Sequence, residues 1–432
     1  MEVSLHINLV ATSDYLHNVG IHDMILNVGW FLPKHFAAEN GATPLIVEPF
    51  DKPREYCRNR RKSNIRLQVF TIGLLLGCCP VPAKASSSTA ASVASWQSAE
   101  ATQIPKNEIP SIYGNPYRQP IATLAWEDGV YITRDGLTLY TDYVPADLLR
   151  ALLDGAIPYY TYLYARGPNL GQDFSNPFGS AFPWYHSDIA YATRVSSTQP
   201  FSGWSLTERR GAYFNRGAPQ GIDSLQGNGD FDYFVYTEDG TSHITIMLLR
   251  NTDRSLYGTA VELPANVDDP RYNEDNPHME RYDHSDPNKL VLFFDSDNWP
   301  GMGGHDIWYT VSSDGGISWT NPQSVKSINT KLDEEQPHLY FDGVHWWLFF
   351  TATNPTDGRL AIYRARQGIS NNWDSWVNEQ LVVSAGTTLG VGEPTLTTNG
   401  DLSFVAVIHN PNGTPTDQWD CDPWFMPSLG YH

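Results

Sequence analysis

The chain has 432 residues, of which 41% are hydrophobic and 13% aromatic, and its 48 Asp plus Glu outnumber 28 Lys plus Arg to give a formal charge of −20 at pH 7. That length holds two or three average domains or one large repeat array. So acidic a balance excludes nucleic acid and anionic membranes as partners, because phosphate binding needs clustered Lys and Arg, and leaves cations and neutral glycans open.

A basic stretch, Arg58-Asn59-Arg60-Arg61-Lys62, precedes the apolar run from Leu67 to Cys79, and Ala83-Lys84-Ala85 follows. These are the three parts of a secretory signal peptide over 58–85, and the apolar run is too short for a comfortable membrane span. The expectation is a secreted or periplasmic protein, with Cys78 of Leu75-Leu76-Gly77-Cys78 as the residue a lipid anchor would use. A signal belongs at an N-terminus, so residues 1–57 read as a non-native upstream extension or a disordered segment. The tract Ser86-Ser87-Ser88-Thr89-Ala90-Ala91-Ser92 opens a linker over 86–112. Beyond the signal only Cys421 remains, so the mature chain has no intrachain disulfide.

From residue 113 onward the chain repeats. Pro219, Pro277, Pro337 and Pro394 follow one another at intervals of 58, 60 and 57 residues, within Gly217-Ala218-Pro219, Glu274-Asp275-Asn276-Pro277-His278, Glu334-Glu335-Gln336-Pro337-His338 and Gly392-Glu393-Pro394. Self-similarity at such a period marks a solenoid, propeller or array. Glu127-Asp128-Gly129-Val130 is a fifth copy, separated from the next by an insertion of about 30 residues.

Each cluster leads into a strand, a tight turn and a second apolar strand, as in Tyr131-Ile132-Thr133-Arg134-Asp135-Gly136-Leu137-Thr138-Leu139-Tyr140; Asp-Gly between apolar runs is a strong hairpin signal. Third strands read Asp188-Ile189-Ala190-Tyr191, Asp306-Ile307-Trp308-Tyr309 and Leu360-Ala361-Ile362-Tyr363, and fourth strands are marked by Trp204, Trp319 and Trp376. Four short antiparallel strands in each of five units predict an all-β, five-bladed β-propeller over 113–432, with blades near 127–206, 215–264, 274–325, 334–383 and 392–432. Tyr117 to Ala125 is expected to supply the outer strand that closes the ring against the last blade.

In a propeller the innermost strands line a central channel, so Glu127, Asp128, Glu274, Asp275, Glu334, Glu335 and Glu393 are expected to converge on one mouth, with His278 and His338 just below and Arg216 placing a cation in the ring. Carboxylates this close must raise a pKa or bind a cation. Three readings stay open. Asp128, Glu274, Asp275 and Glu335 supply acid and base for a glycosidic bond; or Glu127, Asp275 and Glu334 hold Ca²⁺; or the acids cap strand ends and turns. The aromatic-rich insertion from Pro145 to Tyr185 and the segment Asn298-Trp299-Pro300 are expected to wall the site, with Trp184, His186 and Trp299 against a sugar alongside Arg216, His278, His338 and Glu393.

The run Arg134-Asp135-Gly136-Leu137-Thr138-Leu139-Tyr140 with Asp306-Ile307-Trp308 resembles the WD-like Pro-Asp repeat of TolB-like propellers, with Arg134 in place of the family's Pro. Ser312-Ser313-Asp314-Gly315-Gly316-Ile317-Ser318-Trp319 is similar to the Asp-box of sialidases, a fold marker, but no arginine triad accompanies it. Five blades with acidic inner strands also resemble the arabinanase and family 43 glycoside hydrolase clan, in which carboxylates on the first three blades do the work. Asp128 and Glu274 or Asp275 match that pattern, while the second blade offers Asn215 and Arg216 instead of an acid. The expected function is therefore a monomeric, exported propeller that binds a glycan, with hydrolysis of that glycan left open. The alternative is a non-catalytic TolB-like scaffold for an envelope protein.

Overall fold

A computed structural model describes residues 102–430 except 154–163, 173–186, 211–216, 240–242, 284, 298–300 and 411–417. The expected signal peptide and upstream segment lie outside the described residues. Two short strands open the described chain, β1 (Lys106–Asn107) and β2 (Tyr117–Arg118). The first blade is β3 (Trp126–Ile132), β4 (Thr138–Val144), β5 (Asp188–Thr193) and β6 (Ser205–Leu206); the second is β7 (Gln220–Asp223), β8 (Phe231–Asp239), β9 (Ile244–Thr252) and β10 (Val261–Glu262). The third comprises β11 (Glu274–Arg281), β12 (Leu290–Ser296), β13 (Asp306–Ser312) and β14 (Gln323–Ser324). The fourth comprises β15 (Glu334–Phe341), β16 (Trp346–Thr353), β17 (Leu360–Gln367) and β18 (Trp376–Ser384). The last has β19 (Gly390–Leu396), β20 (Leu402–Asn410) and β21 (Gln418–Met426). The protein is an all-β five-bladed propeller with four antiparallel strands per blade.

The ring closes where the sequence places the closure: β2 pairs with β21, Tyr117 opposite Phe425 and Arg118 opposite Trp424. The Arg118 guanidinium grips both oxygens of the fully buried Asp422 at 2.8 and 2.9 Å. The expected linker over 86–112 is in part a strand, since β1 adds to the outer edge of the fourth blade with Lys106 opposite Ser384. Between β4 and β5 the described part of the insertion includes α1 (Leu148–Leu153), whose N-terminus Asp147 caps through a 3.0 Å bond from the Arg150 N–H.

Apolar side chains alternate along the strands, and a blade exposes two apolar faces that only a neighbouring blade can cover. Five hydrophobic clusters result, each filling one junction. Tyr140 packs with Phe231 and Phe234 between blades one and two, Val235 with Phe294 between two and three, and Phe293 with Phe350 between three and four. Phe349 with Phe404, and Trp126 with Val405 and Cys421, fill the remaining two.

Side chains from the inner strands staple adjacent blades at one level. Tyr131 OH donates to Gly221 O at 2.8 Å, Met279 N–H to Gln220 Oε1 at 2.9 Å, Leu396 N–H to His338 Nε2 at 3.2 Å and Ile132 N–H to Thr395 Oγ1 at 3.2 Å. His278, at the same point of the third blade, sits against the backbone of Leu339 in the fourth. On the rim of the third blade the Ser312–Trp319 turn is tied by Asp314, whose carboxylate accepts from Ile317 N–H, Ser318 N–H and the Ser318 hydroxyl, while Trp319 buries itself between blades two and three.

Closure makes a direct prediction. Arg118→Ala leaves the Asp422 carboxylate buried without its partner and unlatches β2, so chemical denaturation is expected to show a loss of about 3–5 kcal/mol, with Arg118→Lys intermediate. A loss below about 1 kcal/mol would show that the latch contributes no more than a surface ion pair.

Candidate functional site

Each inner strand has a left-handed residue at one repeated position, within a bulge in four blades and just before β7 in the second. Gly129, Ala218, Asn276, Gln336 and Glu393 all have left-handed backbones, with φ of 58°, 48°, 49°, 54° and 56°. The strand register shifts across the bulge in blades one, three, four and five, and in four blades the next residue is the repeated proline. A bulge inserts one unpaired residue and re-aims its neighbours. Glycine is required in the first blade because a Cβ on Gly129 would lie 2.8 Å from Ala218 N.

Successive residues on a strand face opposite ways, so the tandem acids cannot all reach the mouth. This corrects the expected seven-membered ring. Glu127, Glu274 and Glu334, two residues before their bulges, face the blade junctions. Glu127 accepts from Thr123 N–H at 3.0 Å, Thr123 Oγ1 at 2.6 Å and Trp204 Nε1 at 3.2 Å. Glu334 repeats the device with Thr330, accepting N–H at 2.7 Å and Oγ1 at 2.6 Å. Glu274 lies with His243 and Asp268. The set Glu127, Asp275 and Glu334 expected to share a cation is therefore dispersed over three places, and Glu274 is separated from the other expected catalytic acids.

The residues one step later do converge. Asp128, Asp275 and Glu335 line a cavity of about 90 Å³ together with Asp142, Glu393, Asn276 and Gln336. Asp142 stands opposite Asp128 on β4 and Asp295 opposite Asp275 on β12, both through the bulged register. Asp128 accepts from Trp126 Nε1 at 3.1 Å and from Cys421 Sγ at 3.7 Å. Asp142 is bonded to the Ser187 hydroxyl, and Glu393 Oε2 accepts the Val130 N–H at 2.8 Å. Asp295 stands behind the cavity and fixes its rim, accepting from Asn276 Nδ2 at 2.9 Å, Gln336 N–H at 2.7 Å and His305 Nδ1 at 3.0 Å.

This crowding shows in the proton affinities. Burial, then the charges of Asp295, Asp333, Asp275 and Asp128, push Glu335 well above the carboxylate range. Glu393 is raised by burial and by Asp128, with which it shares a hydrogen bond, and Asp142 by burial and by Asp128, Asp188 and Asp275. Burial and Asp295 raise Asp275. Burial opposes the charge on His305, yet its bond to Asp295 raises it overall.

Below the mouth the channel narrows to a cavity of about 40 Å³ lined by the bulges, their prolines and Tyr131, Gln220, His278, His338 and Thr395. The two imidazoles lie 4.1 Å apart between centroids, their planes tilted by 59°, and are held neutral, His278 by burial and Arg134, and His338 by burial, His278 and Arg134. Trp184, His186, Arg216 and Trp299 lie outside the described residues. Asp142 and Asp295 escaped the sequence reading, and their signal was position: each lies on the second strand of a hairpin, across from an acid already singled out.

No protein-family model and no curated protein sequence matches the chain. Solved structures similar to it include a thermostable family-43 glycoside hydrolase (13% identity, 73% of this chain and 96% of that one, TM-score 0.42). An endo-arabinase from Bacteroides thetaiotaomicron (12%, 71% and 96%, 0.41) and a GH62 alpha-L-arabinofuranosidase from Coprinopsis cinerea (12%, 71% and 92%, 0.42) are similar at the same level. These likenesses are of fold alone.

A carboxyl with a raised folded-state pKa holds its proton more tightly folded than unfolded, so the stability it contributes is complete below its ordinary range and is lost as pH rises through the raised value. Asp275 and Glu334 are both pushed up to about 7. Above pH 7 the unfolded imidazoles have lost most of their protons and His278 and His338 are neutral in the fold, while His305, raised by Asp295, loses its proton in the same direction as the carboxyls, so the slope there belongs to the carboxyls together with His305. The melting temperature in chelator is expected to fall steadily from pH 7 to 8.5, and Glu393→Gln to flatten the fall. A melting temperature that rises over that interval would contradict the assignment.

Proposed function

We propose that the mouth binds and hydrolyses a neutral glycan, with Glu335 as general acid and Asp128 as base or nucleophile. The observation that carries this reading is the pairing of two carboxyls from different blades in different environments. Glu335 is buried among other acids and keeps its proton, whereas Asp128 is held by the Trp126 indole N–H and the Cys421 thiol as an oriented acceptor. A protonated carboxyl and a second, oriented carboxyl on one cavity are what glycosidic cleavage requires, one protonating the leaving oxygen while the other attacks or activates water. Asp142 stands opposite Asp128 and Glu393 shares a hydrogen bond with it, while the charge of Asp275 helps to hold the proton on Glu335. The acidic field of the mouth repels anionic substrates and favours neutral sugars. The signal-type sequence over 58–85 supports export, where polysaccharide would be met.

Incubation with a panel of neutral polysaccharides, following reducing ends, tests the proposal. Asp128→Asn and Glu335→Gln are each expected to lower kcat by about 10²–10⁴-fold with the fold intact by near-ultraviolet circular dichroism. Neither release nor binding of oligosaccharides across the panel would overturn the reading in favour of a protein-docking scaffold.

A further inference from the structure

We propose that His243, Asp268 and Glu274 form a site for one divalent transition-metal ion of the zinc class, at the junction of the second and third blades and separate from the channel mouth. Their ligand atoms all lie within 4.8 Å of one another, with His243 Nε2 3.1 Å from Asp268 Oδ1. One ion at about 2.0–2.2 Å from each donor would bridge such a set after a small contraction.

The three residues come from three separate elements: His243 immediately precedes β9, Asp268 lies in the loop before the third blade, and Glu274 opens β11. That junction is already tied by a hydrogen bond, because Ile244 N–H donates to the side-chain Oδ1 of Asn273 at 3.0 Å and joins the neighbour of His243 to the neighbour of Glu274. Glu274 is fully buried and Asp268 nearly so, while His243 is partly open to solvent and gives an ion its entry.

The repeat supplies the second argument. Glu127 and Glu334 occupy the position of Glu274 in their blades, and each takes its hydrogen bonds from a threonine four residues earlier, Thr123 and Thr330. At that offset from Glu274 stands Pro270, which has neither an N–H nor a hydroxyl to give. The third blade has exchanged the threonine cap for an imidazole and a second carboxylate. That exchange brings two acids and one nitrogen to a buried point, a set whose charge a divalent ion balances.

The donor types choose the ion. Ca²⁺ takes six to eight oxygens, whereas an imidazole nitrogen with two carboxylates suits zinc and its neighbours, with a fourth position for water. The ion would replace the proton between His243 Nε2 and Asp268. By anchoring Glu274 it would hold the start of β11, on whose opposite side Asp275 faces the mouth.

The test uses the whole chain, stripped with chelator and dialysed against Zn²⁺ and, separately, Co²⁺. Metal analysis is expected to give one ion per chain in wild type and in Asp128→Asn, and none in His243→Ala, His243→Gln or Asp268→Asn. Co²⁺ should give a d–d spectrum of tetrahedral nitrogen and oxygen ligation that His243→Gln abolishes, while the glutamine variant keeps the native fluorescence spectrum. Zinc bound equally by His243→Gln and wild type, zinc lost in Asp128→Asn, or no stoichiometric ion in folded wild type would each overturn the site. None of these readouts depends on glycan chemistry.

Discussion

No blade of this propeller can bury its own faces. The buried apolar residues on the blade faces find their cover on neighbouring blades, which is why the described hydrophobic side chains sort into five junction clusters and not into five blade cores. Such an arrangement has no stable open end, so closure of the last blade by β2 and its Arg118–Asp422 pair is a condition of the whole fold. The inner-strand staples act at the same junctions with hydrogen bonds, and His278 and His338 belong to that ring as well as to the channel wall. Stacking five sheets around an axis then dictates that one point of the repeat recurs five times around one opening.

That recurrence was legible in the sequence because proline and Asp-Gly are written into it at fixed intervals. The prolines follow the bulges and the Asp-Gly pair forms a hairpin turn, so the blade count, the closing strand and the convergence of Asp128, Asp275 and Glu335 could all be read. What could not be read was the bulge itself. Counting back from the Thr133–Thr138 end of the first hairpin without a bulge sets Asp128 opposite Tyr143; the extra residue at Gly129 sets it opposite Asp142. The same one-residue slip hides Asp295 behind Asp275. It also leaves open which acid of each Glu-Asp or Glu-Glu pair faces inward, so Glu127, Glu274 and Glu334 were placed on the wrong side. A period of two makes register unforgiving, and of the left-handed residues at the repeated position only Gly129 and Asn276 are types that favour such a backbone, whereas Ala218, Gln336 and Glu393 carry no such mark.

The two faces of the inner strands thus carry different chemistry. Toward the junctions, Glu127 and Glu334 are satisfied locally by threonine, and Glu274 departs from them together with its cap. Toward the axis, five carboxylates line one small cavity with Asp295 behind them, and burial leaves too little water to screen them. Such a mouth relieves its repulsion by keeping protons. A retained proton makes Glu335 a donor, while Asp128 is set apart by the Trp126 indole and Cys421 thiol that orient it as an acceptor.

Proton retention at the mouth is therefore the point on which the functional account stands. It is measured most directly by ¹³C NMR titration of the side-chain carboxyls, with the signals of Glu335 and Glu393 assigned by Gln substitution, in metal-free buffer. The account predicts that both remain protonated at pH 6. If both titrate at ordinary glutamate values and are ionised at pH 6, the mouth is solvated and unstrained, and the separation of acid from base is contradicted.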